Sequence, residues 1–299
     1  MITTQPTIGV VGLGHMGGSM AARLLAAGHV VHGTSRTPER AAALVADGLR
    51  WAQTPRAVAE AADVVLTSIP DDHVLNEMAS GPDGLLTGLT RGKTWLEMST
   101  VSPTASREMA AAVRATGATM LDAPVSGSVP QVRAGTLTIM VGGDADGYDR
   151  VTPLLRELGT PTHVGSNGQG LVLKLAINIS LAVQMLALAE GLLLADRSGI
   201  DRRLALDVMT GSAIGSPMLK ARAPLVLDPP TEAWFTLGLV QKDVELARDV
   251  AEGLGVPLPT ADRVDEILRL AGVLGYGGHD LAALFQVLQE MTEGRRTAA

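Results

Sequence analysis

Two hydrophobic patterns share this chain, and one gives way to the other near residue 165. Upstream, short apolar runs alternate with stretches of helical period. "TIGVVGLG" reads as a β-branched strand running into glycines, and "SMAARLLAAGH" as an Ala/Leu helix that Gly28 stops. "VVHGTSR" is a second strand, "ERAAALVADG" a second helix ended by Gly48, and "ADVVLTSIP" a buried strand cut off at Pro70. "KTWLEMST", "TMLDAPVSG" and "TLTIMVGG" read as further strands, with "SPTASREMAAAVRATG" a capped helix between the first two. Strands alternating with helices in this order predict an α/β domain built on a mostly parallel, doubly wound sheet.

Downstream, nearly everything from Gly170 has helical period. "GLVLKLAINISLAVQMLALAEGLLLADRSG" predicts one unusually long helix, and "RRLALDVMTG", "LVQKDVELARDVAEGLG", "TADRVDEILRLAGVLG" and "DLAALFQVLQEMTEG" predict others, most ending in Gly. The expected organisation is an α/β domain over residues 1–164 and an all-helical domain over 165–299, joined by the long helix. Its charge-free run, Leu175 to Ala189, is shorter than the roughly 20 residues a membrane span needs, so a buried core helix is expected. The N-terminus lacks a basic segment followed by a long apolar run, so no signal peptide is expected and the protein reads as soluble and cytoplasmic.

Composition narrows the chemistry. Of 299 residues, 46% are hydrophobic but only 2% aromatic, so aliphatic side chains and Met must fill the cores. A net charge of -7 argues against a nucleic-acid partner. The absence of cysteine excludes disulfides, thiolate catalysis and Cys-based zinc sites. The six histidines form no ligand-spaced cluster, so no metal is expected. Asp71-Asp72 and Asp280 read as helix caps rather than as acid–base groups.

Chemistry concentrates in three places. "GLGHMG" (Gly12, Leu13, Gly14, His15, Met16, Gly17) follows a strand and opens a helix, the setting in which GxGxxG cradles a dinucleotide pyrophosphate. At the end of the second strand, where an NAD site usually carries an acid, the chain has Ser35, Arg36 and Thr37. An arginine beside two hydroxyls suits a 2′-phosphate, so NADP(H) is expected in preference to NAD(H). The second place is "LDAPVSGSVPQVRAGTLTIMVGG", a strand leading into a Gly/Ser/Pro loop that can offer N–H groups to an anion or be an ordinary turn. The third is the long helix, where Lys174 interrupts an apolar run and Asn178 follows at i+4 on the same face.

Four blocks, "GLGHMGGSMAARLLAAGH", "DAPVSGS…AGTLTIMVGG", "GSNGQGLVLKLAINI" and "LVQKDVELA", make the chain resemble the β-hydroxyacid dehydrogenases over essentially its whole length. That family includes 3-hydroxyisobutyrate dehydrogenase and the tartronate semialdehyde, glyoxylate and succinic semialdehyde reductases. The resemblance implies a Rossmann-type first domain and a small carboxylate-bearing substrate, with a homodimer or homotetramer. It also implies that Ser126, Gly127 and Ser128 bind the substrate carboxylate, that Lys174 is the catalytic acid–base and that Asn178 holds the substrate. Lys242 would lie near the nicotinamide with Asp243 in support; Ser99 and Thr100 would lie beside it, and Ile69 and Pro70 would line the cofactor cleft. Burial in the apolar helix would disfavour the charged lysine and bring its pKa toward working pH. Pro130 and Gln131 depart from the glycines that often continue the carboxylate loop, which leaves the substrate open. The imine reductases are similar in fold but usually replace the lysine with Asp or Tyr. An imine reductase or a catalytically silent dinucleotide-binding homologue are the alternatives.

Overall fold

The computed structural model describes residues 5–297, with side chains to residue 292. The chain divides into two compact units, Met1–Lys174 and Leu175–Ala299.

The first unit is built on nine strands: β1 (Ile8–Val11), β2 (Val31–Thr34), β3 (Arg50–Trp51), β4 (Val64–Thr67), β5 (Thr94–Glu97), β6 (Thr119–Asp122), β7 (Val125–Ser126), β8 (Leu137–Gly142) and β9 (Gly159–Gly165). They form one sheet in the order β3-β2-β1-β4-β5-β6-β8-β7, with β9 pairing β8. The path β3 to β6 is parallel; β8 runs antiparallel to β6 and β7, and β9 parallel to β8. The chain winds outward from β1 to β3, then returns on the other side of β1 to β4. The carboxyl ends of β1 and β4 therefore flank the switch point where open α/β sheets bind ligands.

Strand alternation separates two cores. Ile8, Val10, Leu66, Leu96 and Leu121 face one layer, while Val11, Val65, Trp95 and Met120 face the other. Gly9 permits close packing on the second face, because a Cβ there would meet Val58 Cγ1 at 2.5 Å. Val58 belongs to the helix Pro55–Ala61, which Thr54 caps by accepting from the Ala57 amide at 3.1 Å.

The second unit is all-helical. Its helices include Arg202–Gly211, Pro217–Leu227, Leu237–Leu254, Pro259–Val273 and Leu284–Thr297. Asp201, Ser216 and Thr236 cap the first three of these by accepting amide N–H groups. Pro217–Leu227 is a helix that the sequence pattern did not predict. The long helix Gln169–Arg197 runs uninterrupted for 29 residues, as the sequence pattern predicted. By length and composition alone it could cross a membrane, and 39% of its most apolar stretch is buried. Leu171 enters a core of the sheet unit, and Ala182, Met185, Leu188 and Leu192 enter the helical core.

Candidate active site

The glycine turn is shaped by contacts that exclude side chains at two of its three positions. Gly12, directly after β1, has φ +94°, and a Cβ there would lie 2.2 Å from the Ser68 carbonyl oxygen. A Cβ on Gly17 would lie 2.0 Å from the Gly12 oxygen and 3.0 Å from Ser68 Cβ. Gly14 is different: its Cβ would meet nothing within 4 Å. It stands exposed at the N-cap of the helix His15–Ala26, whose first turn carries no acid. With no side-chain cap and no acid in its first turn, the N-terminal partial positive charge of that helix suits an anion. This is a cradle that a pyrophosphate would fit. Leu13 is buried in the core, so only its main chain could serve a cofactor, while His15 is exposed and Met16 packs partly against the core. Arg36 is exposed just beyond β2, with Ser35 and Thr37 half-buried around it.

The carboxyl ends of β4, β5 and β6 carry a polar row. Thr67 registers with Glu97, and Glu97 with Asp122. All three side chains are buried. The Thr67 hydroxyl donates to Glu97 Oε2 at 2.6 Å, and the Ser99 amide donates to Oε1 at 2.8 Å. Trp95 Nε1 donates to the Thr67 hydroxyl at 2.8 Å, and the Ile69 amide donates to Ser99 Oγ at 2.8 Å. Burial pushes the Glu97 carboxyl up to about 7, against the hydrogen bonds from Ser99 and Thr67 that favour its ionised form. Burial also raises Asp122 above the usual carboxylate range.

Asp122 seats the start of the long helix. Its Oδ1 accepts from the Gly168 amide at 2.8 Å and its Oδ2 from the Leu171 amide at 3.2 Å. Gly170 allows that approach, since a Cβ there would lie 2.5 Å from the Met140 oxygen and 2.8 Å from Asp122 Oδ2. Lys174, on the second turn of this helix, is half-buried. The sequence reading missed both Glu97 and Asp122, although an acid ending an apolar run, as in "WLE" and "MLD", was a visible signal. Asp71 and Asp72, by contrast, act as cap and brace: Asp71 accepts from the Val74 amide at 2.9 Å and Asp72 from the Ser102 amide at 2.8 Å.

Ser126, Gly127 and Ser128 lie where β7 passes into the short helix Val129–Ala134. Gly127 has φ +132° and turns the chain against Leu137 and Gln131. Gln131 Oε1 accepts from both the amide and the hydroxyl of Ser128, each at 2.9 Å. Ser128's donors are therefore engaged within the loop, a consequence of Gln131 standing where glycine was expected.

In the helical unit, Asn178, Asp243 and Lys242 come together. Asn178 Nδ2 donates to Asp243 Oδ2 at 2.5 Å, and both residues are buried. Lys242 Nζ lies 2.9 Å from Asp243 Oδ1, an ion pair whose approach is not aligned as a hydrogen bond. The Asn178 amide oxygen is buried without a hydrogen-bond partner.

Residues 7–168 match the model of the NAD binding domain of 6-phosphogluconate dehydrogenase. Residues 168–288 match that of the NAD-binding domain of NADP-dependent 3-hydroxyisobutyrate dehydrogenase. The chain is 35% identical to 2-hydroxy-3-oxopropionate reductase of Escherichia coli over 95% of this chain and 97% of that one. It is 34% identical to an NAD-dependent L-serine dehydrogenase of Pseudomonas aeruginosa over 96% and 99% of the two chains. A 3-hydroxyisobutyrate dehydrogenase structure from Salmonella typhimurium superimposes with a TM-score of 0.88 at 29% identity, covering 95% of this chain and all of that one. With a glycine turn shaped for a dinucleotide, and with matches that run through both units, the chain belongs to the β-hydroxyacid dehydrogenase family, NAD(P)-binding oxidoreductases that act on CH–OH groups.

Proposed function

We propose that the protein is an NADP(H)-dependent enzyme that interconverts a small 3-hydroxyacid, or a related hydroxyacid, and its semialdehyde or keto acid, with Lys174 as general acid–base. The observation that carries this reading is the seating of the lysine's helix. Asp122, at the end of β6, accepts two amides of its first turn and so fixes where Lys174 stands. A bound nicotinamide would supply or accept the hydride. Lys174 would protonate the forming alkoxide in reduction and, as the neutral amine, take the hydroxyl proton in oxidation. Asn178, held by Asp243, would orient the substrate through its unpartnered oxygen, and Lys242 would serve the nicotinamide end. Ser126, Gly127 and Ser128 would hold the substrate carboxylate, Ser128 by turning its hydroxyl from Gln131 to the substrate, and thereby select the carbonyl face presented to hydride.

For the cofactor, the three glycines would cradle the pyrophosphate, while Ile69, Pro70 and Thr100 would line the nicotinamide side. Ser35, Arg36 and Thr37 would receive the 2′-phosphate, since no acid stands at the end of β2. The reading is of a cytoplasmic homodimer or homotetramer, supported by the exposed apolar residues Leu173, Leu194, Leu204 and Val208.

The test is a turnover panel of 3-hydroxyisobutyrate, 3-hydroxypropionate, tartronate semialdehyde, glyoxylate and succinic semialdehyde, with a cyclic imine as comparison, run with NADPH or NADP⁺ and with the NAD(H) pair. One of the acids should turn over with a kcat/KM favouring the phosphorylated cofactor, and Arg36→Ala should lose about 1–3 kcal/mol of that preference. Turnover of the imine alone, or an unchanged preference in Arg36→Ala, would overturn the respective half of the reading.

A further inference from the structure

We propose that Glu97 is a positioning residue for the dinucleotide site, tying together the two strand-end loops on which the glycine turn rests; this rests on the reading that the first unit binds NAD(P). The connection can be followed atom by atom. Glu97 Oε1 accepts from the Ser99 amide, and Ser99 Oγ in turn accepts from the Ile69 amide. The loop after β5 is thereby fastened to the loop after β4. Ser68 and Ile69 of that second loop form the floor of the turn. A Cβ on Gly12 would meet the Ser68 oxygen at 2.2 Å and Ile69 Cγ2 at 3.5 Å, and one on Gly17 would meet Ser68 Cβ at 3.0 Å.

A fully buried acid is an expensive way to fill space, so its retention calls for a use. Thr67 does not need it: its hydroxyl accepts from Trp95 Nε1 and has the Leu96 carbonyl at 3.5 Å as another place for its proton. The bond Glu97 alone supplies is the one to Ser99. The arrangement also tolerates both forms of the acid. Ionised, Glu97 accepts from Thr67 and Ser99; protonated on Oε2, it can donate to Thr67, whose own proton turns to Leu96. Asp122 on the adjacent strand is the charged group that acts on it; β4 and the β5 loop present Thr67 and Ser99, which do not titrate here. Because Glu97 is held at about 7, its charge changes in the physiological range. The ionised form makes the stronger, charge-assisted bond to Ser99. Dinucleotide binding should therefore tighten as pH rises through 7.

The experiment is a fluorescence titration of the full-length protein with NADPH between pH 5.5 and 8.5, comparing wild type, Glu97→Gln and Ser99→Ala. The 2′-phosphate titrates in every case, so the ratio of variant to wild-type Kd isolates Glu97. That ratio for Glu97→Gln should be near one at pH 5.5 and rise to about fivefold at pH 8.5. Ser99→Ala, which keeps the Glu97 carboxylate but removes both the acceptor for the Ile69 amide and the hydroxyl that hydrogen-bonds Glu97, should weaken binding about fivefold at pH 8.5 and less at pH 5.5. A ratio independent of pH, or Ser99→Ala binding as the wild type does, overturns the proposal. If Glu97→Gln does not fold, the pH dependence of Ser99→Ala decides: its Kd ratio to wild type should rise through pH 7, and a flat ratio, as loss of a direct cofactor contact would give, overturns the proposal. The measurement needs no substrate, so cofactor binding that follows this pattern without turnover of any hydroxyacid would sink the substrate reading and leave this one standing.

Discussion

Replacing Glu97 by glutamine removes a titration from the middle of the sheet, and its effect on stability can be worked from the structure. In the unfolded chain the carboxyl ionises at its ordinary value of 4.5, and in the fold at about 7. Below 4.5 both states carry the proton. Between the two values the unfolded chain has lost it while the fold retains it, so stability falls as pH rises, by about 1.4 kcal/mol per pH unit. By pH 7 the wild-type fold has lost about 3 kcal/mol on this account, and above 7 the loss is constant. Glutamine can still accept from the Ser99 amide, but its NH₂ replaces Oε2 and weakens the link to Thr67, at about 1 kcal/mol. Relative to wild type, the variant should therefore gain about 2–3 kcal/mol between pH 5 and pH 8. The assay is urea unfolding followed by tryptophan emission across that range. Trp95 is fully buried beside the row and bonded to Thr67, so it reports the site itself. A stability difference that stays flat with pH would refute the reasoning, whatever its size.

Two further outcomes follow from the contacts. Gly14→Ala should leave the melting temperature nearly unchanged, because its Cβ meets nothing, yet weaken NADPH binding; Gly17→Ala should cost about 1–3 kcal/mol of stability because its Cβ would press on the Gly12 oxygen, and paired melting and binding curves check both. Asp243→Ala leaves the buried Asn178 amide without its acceptor, removes the carboxylate beside Lys242 and should cost about 3 kcal/mol in urea unfolding, with a loss under 1 kcal/mol counting against a buried polar cluster there.

Much of this was legible in the sequence because it is local. The strand into Gly12, the helix after it and the caps at Asp71 and Asp280 are each written within a few residues, and each appears where the pattern put it. Asp280 exceeds its local role, since it also pairs with Arg222 and accepts the Trp234 and Phe235 amides. The elements missed carry weak local signals. β3 has two residues, β9 contains Pro161, and the helix Ala145–Leu158 contains Pro153. The polar row of Thr67, Glu97 and Asp122 was illegible for another reason. It exists only once β4, β5 and β6 are paired in register, and that pairing joins residues about 25 to 30 apart. The Asn178–Asp243 contact spans 65 positions and was equally hidden. Ser128 and Gln131 are the opposite case: Ser-x-x-Gln is a local capping signature, present in the sequence but read only as a departure from glycine.

The most direct measurement is single-turnover hydride transfer from saturating NADPH to the semialdehyde or keto acid of whichever pair the panel identifies, comparing wild type with Lys174→Ala. The rate should fall by about 10²–10⁴-fold while the Kd for NADPH stays within about twofold of the wild-type value. A variant that binds NADPH normally and transfers hydride at close to the wild-type rate would contradict the acid–base role of Lys174.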